Sequence, residues 1–176
     1  MDLRIIKTRY QIKDAFLKLR NKLMPEKIKV KDICEAAMIN KTTFYKHYAD
    51  SMELSNEIDD AAIDKVVSSF PSREKLFEDS KAFMTELFTS LNNEAEDLKV
   101  VFRGKQEVLV QKLDARLRSI YCNKSDDLEK EIKTTFAISG FVGVANDYLF
   151  AKSKEDMQTI VQEATKLLES LIPAKA

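Results

Sequence analysis

Val30-Lys-Asp-Ile-Cys-Glu-Ala-Ala-Met-Ile-Asn-Lys-Thr-Thr-Phe-Tyr-Lys-His-Tyr48 is the stretch that decides the fold. Val30, Ile33, Cys34 and Ala37 share one face of a first short helix. Ile39 falls in the turn that follows, as a plug between two helices. Asn40 is a good N-cap, because its side chain can accept a bond from an unpaired backbone N–H of the next turn. The second helix, Lys41 to about Tyr48, turns Phe44 inward and leaves Lys41, Thr42, Thr43, Tyr45, Lys46 and His47 for another surface. Two helices meeting at such a corner, the second carrying basic, hydroxyl and aromatic groups outward, form a helix-turn-helix. The competing reading is an ordinary helical corner with a solvated charged face.

Charge separates the two readings. Residues 1–48 hold twelve Lys or Arg against five Asp or Glu, a net of +7. The whole chain is neutral, with 29 of each sign, so residues 49–176 carry −7. A basic head on an acidic body is expected where the head neutralises phosphates.

The same residues carry a resemblance. Lys31-Asp32-Ile33-Cys34-Glu35-Ala36-Ala37, then Ile39-Asn40-Lys41-Thr42-Thr43-Phe44-Tyr45-Lys46-His47-Tyr48, resembles the DNA-binding head of the tetracycline-repressor (TetR) family. The Thr-Phe-Tyr-x-His-aromatic run is the most specific part, and the strong similarity covers roughly residues 4–60. The family usually has Gly where this chain has Met38, and often Gly or Ala where it has Thr42. Met38 raises the question of how the turn reaches its backbone angle, since a positive φ is costly without Gly. The resemblance implies a homodimer on a palindromic operator, with repression as the default sign. It also implies that Tyr45 and His47 touch phosphate.

Helix boundaries follow from local signals. The first helix is expected over 4–23, with Ile5, Ile12, Phe16, Leu19 and Leu23 inward and Arg4, Lys7, Arg9, Lys13 and Lys18 wet. Pro25 ends it. Asp50 or Ser51 caps a long helix to about Ser69, with Met52, Leu54, Ile58, Ala62 and Val66 inward. In the resembled family this helix joins head to body. Further helices are expected over 73–91, 95–103, on to Tyr121, then 126–151 and 154–171, with Ser125 and Ser153 as caps, a turn at 123–125 and Pro173 in the tail. The fold class is therefore all-α. A three-helix head, residues 1–50, is joined by a long helix to a helical regulatory and dimerisation body, 51–176, with the clearest break at Phe70-Pro71-Ser72-Arg73.

Enzyme chemistry finds no support. His47 is the single histidine, so a helical His/Glu metal pair has no members. No phosphate loop or nucleophile elbow is present, and no cofactor or metal is expected. Cys34 reads as a small core residue; Cys122 is a candidate thiol switch, and the two have no metal-like spacing. The N-terminus lacks the apolar core of a signal peptide, and no apolar run approaches a membrane span. A cytoplasmic protein is expected.

The candidate DNA-binding set is Lys29, Lys31, Asn40, Lys41, Thr42, Thr43, Tyr45, Lys46 and His47. Lys41, Thr42 and Thr43 would face base edges; Tyr45, Lys46 and His47 would reach phosphates, with Lys29, Lys31, Lys7 and Thr8 on the flanking backbone. Phe77, Phe83, Met84, Phe88, Phe102, Tyr121, Phe136 and Tyr148 are candidates to line a pocket for a small apolar effector, although each taken singly reads as core. The penultimate helix is apolar nearly all round over 136–145 and contains Gly140 and Gly143. Such a helix must be covered on several faces, by its own body or by a second copy through Phe141, Val144, Ile160, Ala164 and Leu167. The alternatives to a repressor are an activator, or a helical interaction module whose body docks a protein co-regulator.

Overall fold

The computed structural model describes residues 3–122, 127–150 and 156–171. Among the described residues, ten α-helices run in chain order: α1 Leu3–Arg20, α2 Val30–Ala36, α3 Lys41–Tyr45, α4 Ser51–Val67, α5 Arg73–Glu78, α6 Ser80–Asn93, α7 Ala95–Phe102, α8 Gln106–Tyr121, α9 Leu128–Phe150 and α10 Met157–Leu171. A single 3-10 turn, Pro25–Lys27, follows α1, and the described residues contain no strand. The chain is all-α. The turn expected at 123–125, the Ser125 and Ser153 caps and Pro173 lie outside the described residues.

The chain divides into two compact units. The first is residues 1–62 with 97–105; the second is 63–96 with 106–176. The sequence reading, with its single boundary, did not anticipate the return of 97–105 to the first unit.

In the first unit, Ile12, Phe16, Ile28, Ile33, Phe44, Tyr48 and Leu54 are at most 3 % exposed. Ile5 and Met52, expected inward, are instead 45 % and 69 % exposed. Each sits in the first two turns of its helix, where the apolar period has no facing neighbour to bury it. Asp50 caps α4, its carboxylate accepting from the N–H groups of Met52 and Glu53 at 2.8 Å each.

Arg20 is the least expected member of this core. It is fully buried, and its guanidinium donates to the carbonyls of Leu23 at 3.2 Å, Val101 at 3.0 Å and Arg103 at 2.5 Å. The Val101 and Arg103 carbonyls lie at the end of α7, where a helix leaves carbonyls without partners and a cation also suits the helix dipole. Burial pushes the Arg20 pKa down, against the pull of Asp59. Nearby, the Lys105 ammonium donates to both Asp59 carboxylate oxygens at 2.5 and 2.7 Å and to Ser55 Oγ at 2.9 Å. Gly104 links these contacts with φ +74°, and a Cβ there would lie 2.9 Å from Met24 Sδ. Both the angle and the close approach call for glycine.

The second unit is a helical bundle around Phe83, Leu87, Phe88, Leu91, Leu113, Leu117, Tyr121, Ile138 and Phe141, each at most 1 % exposed. Phe88 meets Phe141 edge-on with ring centres 5.1 Å apart, and Phe83 meets Tyr121 at 5.7 Å. The Tyr121 hydroxyl donates to the Pro71 carbonyl at 2.6 Å. Where one helix was expected over 73–91, there are two. Asp79 ends α5 and its side chain accepts from Ala82 N–H at 2.8 Å, so it caps α6 and breaks the period.

Candidate nucleic-acid interface

The corner between α2 and α3 is built by three local devices. Asp32 accepts the Lys29 backbone N–H at 3.1 Å and closes the start of α2. At its end, Ile39 N–H donates to the Cys34 carbonyl at 3.0 Å and Met38 N–H to the Glu35 carbonyl at 3.2 Å. This nested pair is a Schellman motif, whose turning residue must be left-handed. Met38 occupies that place with φ 54°, the one positive φ on a non-glycine residue among those described. The side chain is 88 % exposed, so no packing compensates the roughly 1–2 kcal/mol that a left-handed L-residue costs. Asn40 then caps α3, its Oδ1 accepting Thr43 N–H at 2.7 Å.

The cap fixes which side chains leave the surface. Phe44 is completely buried and Tyr48 nearly so, with their rings 5.8 Å apart. Lys41, Thr42, Tyr45 and Lys46 are exposed, and Thr43 and His47 are partly so. Tyr45 stands edge-on to Phe44 at 5.6 Å, its ring 55 % exposed on the outer face. Asn40 is exposed, with Oδ1 committed to the cap and its NH2 directed elsewhere. Lys29 and Lys31 are exposed at the start of α2.

Behind α3, α1 and α4 hold the corner. Glu57 pairs with both Arg9 and Lys13, the latter at 2.6 Å, and the Arg9 guanidinium lies 4.9 Å above the Tyr48 ring centre. Burial pushes the Glu57 carboxyl up, but hydrogen bonds from Lys13 and Arg9 bring it below the usual range. Burial, with the Glu57 carboxylate adding to it, raises the Tyr48 phenol to about 12. Arg9 and Lys13 were read as wet charges; they are ion-paired within the unit. Cys34 is buried beneath the corner, which raises its thiol pKa; Lys41 acts against that.

A different surface lies in the second unit. An open groove of about 530 Å³ runs between α6, α9 and α10. All five residues proposed for dimer contact, Phe141, Val144, Ile160, Ala164 and Leu167, line it. Of the eight pocket candidates, Met84, Phe88 and Phe136 line it as well. Phe83 and Tyr121 do not; they are packed to zero exposure as core. Phe77 and Tyr148 are partly exposed elsewhere, and Tyr148 hydrogen-bonds Asn92. Phe102 belongs to the first unit. The eight therefore do not converge on one cavity, because core and cavity draw on the same residue types. Phe136 is 65 % exposed, Leu167 69 % and Val144 37 %, so the groove has an apolar rim facing outward. A Cβ added at Gly140 or Gly143 would meet nothing within 4 Å, so no part of the described chain makes the close approach those glycines permit.

The sequence matches no protein-family model, and no curated protein matches it. Solved structures do. A TetR transcriptional regulator from Streptococcus agalactiae superposes with a TM-score of 0.59 at 21 % identity, covering 94 % of this chain and 95 % of that one. The dihydroxyacetone kinase operon activator DhaS gives 0.58 at 18 % identity, covering 95 % and 97 %. GusR of Salmonella enterica gives 0.51 at 18 %, covering 94 % and 95 %. This chain has the TetR-family fold. Within that fold, sequence reasoning missed Arg20 and the Lys105–Asp59 pair. Leu23 aside, their partners lie 46 to 83 residues away, beyond any local pattern. Among the described residues, no three His, Cys, Asp or Glu side chains group as metal ligands, and no helix is long and apolar enough to cross a membrane.

Proposed function

We propose that this chain is a sequence-specific, DNA-binding transcription regulator that acts as a homodimer on a palindromic operator. One observation carries the reading: α3 buries Phe44 and presents Lys41, Thr42, Tyr45 and Lys46 outward, from a segment of net charge +7. Lys donates to guanine acceptors and a Thr methyl meets the thymine methyl, so the first turn of α3 reads bases. Tyr45, Lys46 and His47, with Lys29 and Lys31, bind phosphates and set the register.

The dimer reading rests on the rim of Phe136, Val144, Leu167 and Leu171 and on the open space over Gly140 and Gly143. An apolar rim of this kind, on two neighbouring helices, suits a second copy packing its own α9 and α10 against them. Beneath the rim, Met84, Phe88 and Phe141 support a site for a small apolar effector, since a groove of this volume is in the range of ligand sites. Repression by operator occupancy is the simplest output. A second reading, activation, is favoured by the neighbour named an operon activator. A promoter fusion separates the two: deleting the regulator raises expression under repression and lowers it under activation.

Selection from a random DNA pool tests the reading as a whole. The expected product is an inverted repeat with half-sites about 10 bp apart or slightly more. For about six phosphate contacts, log affinity should fall with log salt at a slope near −5. A pool that never enriches refutes it.

A further inference from the structure

Met38 is strained, apolar and outward, and neither the corner nor the core explains its choice. Its left-handed φ of 54° suits Gly or Asn at no loss of contact, because its side chain is 88 % exposed. The Schellman bonds that hold the turn are made by backbone groups and do not need the side chain. A residue that is costly for folding and buries nothing points to a use outside the chain. Its position says where. Met38 lies two residues before the Asn40 cap and three before Lys41, so their Cα atoms are within about 10 Å. Met38 is therefore an exposed residue next to the N-terminal end of α3, where Lys41 and Thr42 are also exposed. Base pairs repeat about every 3.4 Å, so that span reaches base pairs just beyond those opposite α3. Met is flexible and polarizable, and the apolar feature of a major groove is the thymine 5-methyl.

We propose that Met38 is a specificity-determining residue whose thioether side chain packs on a thymine methyl at the edge of the half-site. The proposal rests on the DNA-binding reading of the corner.

The test uses the full chain and the operator obtained by selection. Each thymine is replaced singly by deoxyuridine, which removes only the methyl, and affinity is measured for wild type, Met38→Gly and Met38→Leu. Melting curves first show that both variants fold. In wild type, one thymine per half-site should lose about four-fold in affinity on replacement, the worth of one buried methyl. In Met38→Gly that same replacement should change nothing, while Met38→Leu keeps most of the loss. If every deoxyuridine that weakens wild type weakens Met38→Gly equally, the assignment is overturned and the regulator reading stands. If no thymine in the site responds in wild type, the assignment is likewise overturned. If wild type selects no DNA at all, the regulator reading fails and this one falls with it.

Discussion

Replacing Arg20 by Met removes the buried guanidinium while keeping most of the side-chain bulk. Three carbonyls lose their donor: Val101, which is fully buried, and Leu23 and Arg103, which are partly so. The Val101 carbonyl would then carry the full cost of an unpaired buried acceptor, about 1–3 kcal/mol. Water can reach the other two in part, so each contributes only the net worth of a charged hydrogen bond, about 1.5 kcal/mol or less. The released desolvation of the guanidinium offsets some of this, and the loss of a cation near buried Asp59 adds to it. The expected loss is about 3–4 kcal/mol. At roughly 2–4 °C per kcal/mol for a chain of this length, the melting temperature falls by about 10 °C. Urea unfolding followed by far-ultraviolet circular dichroism measures it, with Arg20→Lys as the second arm. A Lys ammonium carries its three donors on one nitrogen and cannot reproduce the two separated nitrogens through which Arg20 reaches its carbonyls, so Lys should recover less than half. A loss below about 1 kcal/mol for Arg20→Met would refute the clamp, since it would mean that the three carbonyls are satisfied without it.

Met38→Gly should stabilise the protein by about 0.5–1 kcal/mol, because relief of the left-handed strain exceeds the added freedom of the unfolded chain; an unchanged or lowered melting temperature counts against the strain. Leu167→Glu changes a residue that is 69 % exposed, so folding should persist while the dimer weakens by at least about 30-fold, read by sedimentation equilibrium; an unaltered mass removes this groove from the interface. Raising the pH should expose two tyrosines late. Tyr48 has its pKa lifted to about 12 from an ordinary 10.0, and Tyr121 is pushed higher still by burial. An unfolded Tyr48 loses its proton first, so its contribution is intact below pH 10 and is lost as pH rises from there toward 12. Absorbance of tyrosinate should show a late component, from Tyr48 and Tyr121, that appears only well above pH 10 or on unfolding. Absence of that late component contradicts the burial of Tyr48 and Tyr121.

How much of this was legible in the sequence depends on the range of the signal. The corner was legible because each device is local: Asn40 as cap and Phe44 at the inward period; the first helix, expected to run to 23 and stop at Pro25, ends earlier, at Arg20. Even the strain at Met38 could be read, as a non-glycine residue where a turn wanted glycine. Asp79 was missed because the apolar period runs across it from Leu76 to Met84, and its break lies in a cap bond rather than in a Pro or Gly. The return of 97–105 to the first unit was missed because nothing in the local pattern of α7 names Arg20 as its partner. The aromatic residues of the body divided between core and groove for a related reason. Periodicity says that Phe83 and Phe136 are apolar positions on helices; only the packing of neighbouring helices decides that one is sealed and the other 65 % exposed.

The central claim is that the outward face of α3 grips DNA. Fluorescence anisotropy with the selected operator, comparing wild type with Tyr45→Ala/Lys46→Ala, tests it most directly. Both side chains are exposed, so the variant should fold and associate as wild type does, yet bind at least about 30-fold more weakly. Equal affinity of the two proteins would contradict the account.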